Sequence, residues 1–141
     1  MDTTTVTPMT FGKDEKLCSK LLIDRLFMSH SSSFVVWPMR AVFLLVDTND
    51  ESDAGQVEVL ISVSKRYFKR AVKRNRVKRQ IREAYRKHKS LLTDAMARVP
   101  GKKLLLAFVW QEAHLQTSEK IEHRLQTLLL RLAEKLATAE G

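Results

Sequence analysis

Apolar residues fall at helical spacing near both ends of the chain and at strand spacing between them. Leu17, Leu21, Leu22 and Leu26, with Phe27 and Met28 behind them, keep three- and four-residue steps. They predict an amphipathic helix from Lys13 to about Ser29. His30-Ser31-Ser32-Ser33 ends that pattern. Phe34–Trp37 and Arg40–Val46 are rich in β-branched and aromatic residues and are divided by Pro38, so two strands are predicted. Asp47–Gly55 (DTNDESDAG) reads as an acidic turn with no apolar anchor. In Val57–Ser64, Val57, Val59, Ile61 and Val63 alternate with Glu58, Leu60, Ser62 and Ser64, which gives a strand with two chemically different faces. A helix begins by about Lys69–Lys73, Val99-Pro100-Gly101 is a turn, and Lys102–Trp110 (KKLLLAFVW) is a buried strand. Ser118 is the expected N-cap of a closing helix, with Glu119 in its first turn and Ile121, Leu125, Leu128, Leu132 and Leu136 as its core stripe. The order α-β-β-β-α-β-α describes an α+β domain, one layer of helices on a single small sheet. It spans residues 11–138 behind a Thr-rich, aperiodic tail over 1–10 that is expected to be disordered. Trp37 and Trp110 lie in apolar strands and are expected in the core.

The 141 residues carry a net charge of +9, but the charge is not spread evenly. Between Lys65 and Lys89 stand 13 bases and one acid, Glu83, a local charge of +12; the remaining 116 residues sum to −3. A solvated surface helix usually mixes signs, and a block of one sign repels itself unless an anion neutralises it. A polyanion is therefore the expected partner. The single cysteine, Cys18, excludes a disulfide scaffold and reads as a buried, inert thiol. No apolar run approaches the ~20 residues needed to span a bilayer, and the start MDTTTVTPMT has no signal-peptide pattern, so a cytoplasmic protein is expected.

The basic helix sorts its residues by face. At ~100° per residue, Val77, Ile81, Ala84, Tyr85 and His88 form the stripe that buries against the sheet. Asn75, Lys78, Arg79, Arg82, Arg86 and Lys89 project from the opposite side as a continuous ridge. Glu83 beside it can pair with Arg79 or Arg86 at helical spacing. Arginine offers a planar donor fork that fits phosphate, but a phosphate ridge carries no base-sequence information and does not separate DNA from RNA.

The residues of this region resemble a known family. Ser62-Val63-Ser64-Lys65-Arg66, followed by Ala71-Val72-Lys73-Arg74-Asn75-Arg76-Val77-Lys78-Arg79-Gln80-Ile81-Arg82-Glu83-Ala84-Tyr85-Arg86, is similar to the signature of the bacterial ribonuclease P protein. In that family a strand ending S-V-S-K-K/R precedes A-V-x-R-N-R-x-K-R-x-x-R-E. The opening Thr10-Phe11-Gly12-Lys13-Asp14-Glu15-Lys16-Leu17 also resembles the family's start, and the likeness covers about residues 10–135. It implies a two-layer α+β sandwich with a small four-stranded sheet and a left-handed β-α-β crossover. It implies a protein subunit that binds a catalytic RNA and the 5′ leader of precursor tRNA. The RNA performs the endonucleolytic cleavage with magnesium ions, and no obligate protein partner or membrane is involved. By position, Arg74, Asn75, Arg76, Lys78, Arg79, Arg82 and Arg86 are assigned to the catalytic RNA. Phe27, Ser62 and Lys65 are assigned to the leader, together with Phe43 or Leu45 from the strand 40–46. Two departures stand out: Tyr67-Phe68-Lys69-Arg70 is one residue longer than the family's turn, and Ile23 replaces an aromatic of the first helix.

Competing readings stay open at this level. Asn75 can be a helix cap as well as an RNA contact, Phe27 can be core, and Lys102 and Lys103 mark a strand start. His30, His88, His114 and His123 are scattered without zinc-ligand spacing. The cluster Asp47, Asp50, Glu51, Asp53 sits on a turn, a poor platform for a metal nuclease. A structural RNA-binding protein of ribosomal type, without a catalytic partner, is the alternative function.

Overall fold

The computed structural model describes residues 23, 24, 26, 27, 31–48 and 56–140. The expected tail over 1–10, the Thr10–Leu17 motif, Cys18, His30, most of the first helix and the carboxylates Asp50, Glu51 and Asp53 lie outside them. The elements are β1 (Ser32–Val36), β2 (Met39–Asp47), β3 (Val57–Ser62), α1 (Ala71–His88), α2 (Ser90–Met96), β4 (Lys102–Trp110) and α3 (Ser118–Glu140). Ile23, Asp24, Leu26 and Phe27 are helical as well.

The sheet order is β1-β2-β4-β3, antiparallel except between β3 and β4. A parallel neighbour cannot be reached through a tight turn and needs a long crossover, which α1 and α2 supply. The sheet's alternation builds two cores. On one face Val57, Val59, Leu104, Leu106, Phe108, Trp110, Met39 and Ala41 meet Val77, Ile81 and Tyr85 of α1, Leu92 of α2, and the leucine stripe of α3. On the other face Leu26 is fully buried against Val42, Val46, Leu105 and Ala107, with Ile23 beside it. Covering both faces explains why β4 is a continuous apolar run: Leu104 to Phe108 are all at 0% exposure. Burying Leu26 in this second core contributes roughly 1.5–3 kcal/mol.

The structure departs from the sequence reading at several places. The short helix α2 is unexpected, because Lys89 between α1 and α2 stays in right-handed helical conformation and neither Gly nor Pro marks the bend. Lys89 itself does not join the projecting ridge: the bend into α2 leaves it only 8% exposed. Trp37 is 42% exposed while Trp110 is fully buried. Trp37 belongs to the turn between β1 and β2, past the last residue that pleating directs into the core. The cap of α3 is Thr117, whose Oγ1 accepts from the Lys120 N–H at 3.2 Å, with Ser118 already helical. The Val99-Pro100-Gly101 turn stands as expected, and Gly101 takes φ +74°, a conformation that side chains disfavour.

Candidate nucleic-acid interface

The turn that feeds α1 is built by Ser64. Its carbonyl accepts from the N–H groups of Tyr67 (3.1 Å) and Phe68 (3.3 Å), and its Oγ accepts from the Arg66 N–H at 3.0 Å. Phe68, inside the extra residue's stretch, is only 5% exposed and anchors the turn in the main core. Lys65 stands exposed in this turn. Arg74 locks the turn from the helix side: its Nη1 donates to the carbonyls of Phe68 (2.9 Å) and Lys69 (2.8 Å).

Helix α1 starts in an unusual electrostatic state. Its N-cap is Arg70, which makes no side-chain capping bond, and the first turn holds no acid. The positive end of the macrodipole therefore meets Lys69, Arg70 and Lys73 rather than a carboxylate, an arrangement that an approaching anion relieves. The last turn, with Arg86, Lys87 and His88, has the favourable sign.

The seven residues assigned to the catalytic RNA divide by what they touch. Arg74 is half-buried and engaged with the turn. Arg86 is bound to Glu83 by a double contact, Nη2–Oε2 at 2.5 Å and Nε–Oε1 at 3.2 Å, and this bond holds the Glu83 carboxyl below its usual range. Asn75, Arg76, Lys78, Arg79 and Arg82 have no hydrogen-bond or ion-pair partner among the described residues. Asn75 lies inside α1 and is exposed, so it caps nothing. These five side chains leave the helix on two flanks: Asn75, with the half-buried Lys78 and Arg82, lies on one, while the exposed Arg76 and Arg79 share the flank of Gln80 that turns toward α3. Tyr85 and Phe108, with ring centroids 5.8 Å apart, hold the helix's other side to the sheet.

On the Leu26 face the structure brings together some of the residues assigned to the leader. Phe27 is 46% exposed beside the buried Leu26, so it is not core. Ser62 has the parity opposite to Val57, Val59 and Ile61, which places it on that same face. Phe43 and Leu45 do not belong there. Phe43 faces the helical layer, where it meets Phe34 edge to face at 6.1 Å, and Leu45 packs against the same main core. The β2 residues of the opposite parity are Arg40, Val42, Leu44 and Val46. The register then aligns Val35, Arg40, Val109 and Ser62 in one row across all four strands. Arg40, which donates from Nη2 to Ser33 Oγ at 3.0 Å, is the exposed cation of this row, and the sequence reading missed it. A strand apolar on both faces offers no polar alternation from which to fix its parity. Ile23 contributes packing in the second core, where the family pattern would place a ring.

The remaining candidates are structural. Lys102 pairs with Asp47 and Lys103 with Glu58, which fits strand-start residues. His88 pairs with Glu122 at 2.8 Å and His114 with Glu112 at 2.6 Å. Among the described residues no group of three or more His, Cys, Asp or Glu side chains is placed to hold a metal ion. No helix among them is long and apolar enough to cross a membrane.

Comparison with known proteins agrees with this geometry. The family model described as Ribonuclease P matches residues 11–133. A ribonuclease P protein component of Porphyromonas gingivalis is 39% identical over 128 residues, covering 89% of this chain and 90% of the relative. One from Chlorobaculum tepidum is 48% identical over 58 residues, covering 39% and 38%. Among solved structures, an RNase P protein mutant of Staphylococcus aureus superposes with TM-score 0.59 at 20% identity, over 86% of this chain and 90% of that one. The RNase P protein of Thermotoga maritima gives TM-score 0.59 at 18% identity, over 83% and 96%. These two likenesses establish the fold.

Proposed function

This chain belongs to the ribonuclease P protein family, and from that premise we propose that α1 holds the enzyme's catalytic RNA while the Leu26 face of the sheet receives the 5′ leader of precursor tRNA. The role of a ribonuclease P protein component is non-catalytic in this reading. Phosphodiester hydrolysis falls to the RNA and its magnesium ions, and this chain's residues bind and orient.

The observation that carries the reading is the set of five polar and cationic side chains on α1 that have no partner within the described structure. Ordering long basic side chains near one another is unfavourable unless phosphates neutralise them, and Arg76, Lys78, Arg79 and Arg82 are arranged to do that on an RNA backbone. Charge-assisted hydrogen bonds to phosphate are about twice as strong as neutral ones, so the same residues supply affinity as well as steering. Phe27 offers a ring for base stacking and Ser62 a hydroxyl on the sheet face, and Lys65 adds a cation in the turn that follows β3. That combination suits a single strand whose bases are unstacked.

Titration of the full chain into a bacterial ribonuclease P RNA at several salt concentrations tests the reading. Tight binding whose logarithm falls linearly with log salt, with a slope of several units, is expected. Binding no tighter than to an unrelated RNA of equal length would leave the structural RNA-binding alternative in its place.

A further inference from the structure

Between α1 and the start of α3 runs an open groove of about 540 Å³ lined by Arg76, Arg79, Gln80, Glu83 and Ser118. Arg76, Arg79, Gln80 and Glu83 follow steps of three and four residues, so they form one flank of α1, distinct from the stripe of Asn75, Lys78 and Arg82. Ser118 faces them from the other wall. Gln80 joins the two walls: its Nε2 donates to the Gln116 carbonyl at 3.2 Å and to Ser118 Oγ at 2.9 Å. Because Ser118 Oγ accepts from Gln80, its own hydroxyl hydrogen is available to an acceptor in the groove. Arg76 and Arg79 have no partner among the described residues, so two guanidiniums and a hydroxyl present donors to one space. Glu83, which also lines the groove, is ion-paired with Arg86 through the double contact, so its negative charge is balanced by a positive one beside it.

We propose that this groove seats one backbone phosphate of the bound RNA, between the guanidiniums of Arg76 and Arg79 and the Ser118 hydroxyl. The proposal rests on α1 being the RNA-binding element, and it extends the interface beyond α1 to a residue of α3. The RNA backbone then crosses over α1 from the flank of Asn75, Lys78 and Arg82 into the groove, which fixes the rotation of the RNA about the helix as well as its position along it.

The test uses the full-length protein and a ribonuclease P RNA, with affinity measured across a salt series. Arg76→Gln should weaken binding about tenfold and reduce the slope of log affinity against log salt by about one, the signature of one lost phosphate contact. Ser118→Asp should weaken it by at least as much, because it places a carboxylate where the phosphate sits. An acid in the first turn of a helix is favourable, so this variant keeps its fold, and its circular dichroism and melting temperature should equal or exceed the parent's. Gln126→Glu, exposed about two turns further along α3, adds the same charge outside the groove and should change affinity less than about threefold. Equal losses in S118D and Q126E, or an unchanged salt slope in R76Q, would overturn the groove while leaving RNA binding by α1 intact. If the unsubstituted protein fails to bind the RNA, both the groove and the wider reading fall.

Discussion

Arg74 and Phe68 are tied across the start of α1, the guanidinium of one donating at 2.9 Å to the main-chain carbonyl of the other. This bond sets Arg74 apart from the bases that surround it. Its side chain organises the turn between β3 and α1 and thereby the direction in which α1 leaves the sheet. Arg74→Ala is expected to destabilise the fold by about 1.5–3 kcal/mol, the usual worth of hydrogen bonds to a charged group. Urea unfolding checks this; a variant as stable as the parent would return Arg74 to the set of free RNA contacts.

Arg79 and Arg82 should behave in the opposite way. Neither has a partner within the described structure, so replacing both with Ala should leave the unfolding free energy within about 0.5 kcal/mol of the parent's. Affinity for ribonuclease P RNA should drop, and the salt slope should fall by about two. Unchanged RNA affinity at physiological salt would contradict the assignment.

The two faces of the sheet make a contrasting pair. Phe43 packs against Phe34 and the main core, so Phe43→Ala should cost about 3 kcal/mol of stability and affect long-leader and leaderless substrates alike. Phe27 is 46% exposed, so Phe27→Ala should spare the fold and weaken binding of long-leader substrates more than leaderless ones. Arg40→Ala should follow Phe27. Substrate binding by the reconstituted enzyme, with leaders of two lengths, separates these outcomes.

Acid should loosen the contact between α1 and α3. Glu122 of α3 binds His88 at 2.8 Å and lies 3.7 Å from Lys87, and the hydrogen bond from His88 is the chief reason its carboxyl is held below the usual range. A carboxyl with a depressed folded pKa adds stability above its unfolded value of ~4.3, and this is lost as pH falls through the folded value. Glu122→Gln should therefore flatten the decline in stability below pH ~4.5, as read by urea melts at stepped pH. An identical decline in both proteins would remove Glu122 from the account.

Much of this architecture is legible in the residues themselves. The stripe of Val77, Ile81, Ala84 and Tyr85 follows from helical period, and the faces of β3 follow from its alternation of apolar and polar residues. The density of bases after Ser64 marks the proposed interface without any structure. Other features depend on information that a linear pattern does not carry. β2 is apolar on both faces because Leu26 covers the second one, so its parity is fixed only by pairing with β4. The bend between α1 and α2 leaves Lys89 helical and has no Gly or Pro to announce it. Arg74 and Arg79 are chemically equivalent in sequence, and only the carbonyls of Phe68 and Lys69 distinguish a side chain that holds the fold from one that is free for RNA.

Cleavage of a precursor tRNA by a bacterial ribonuclease P RNA at low magnesium, with and without this protein, decides whether the chain serves as the protein subunit of that enzyme. Cut product ending at the mature 5′ end is expected only when RNA and protein are combined, with no cleavage by the protein alone. Equal cleavage with and without the protein, under conditions where it binds that RNA, would contradict that role.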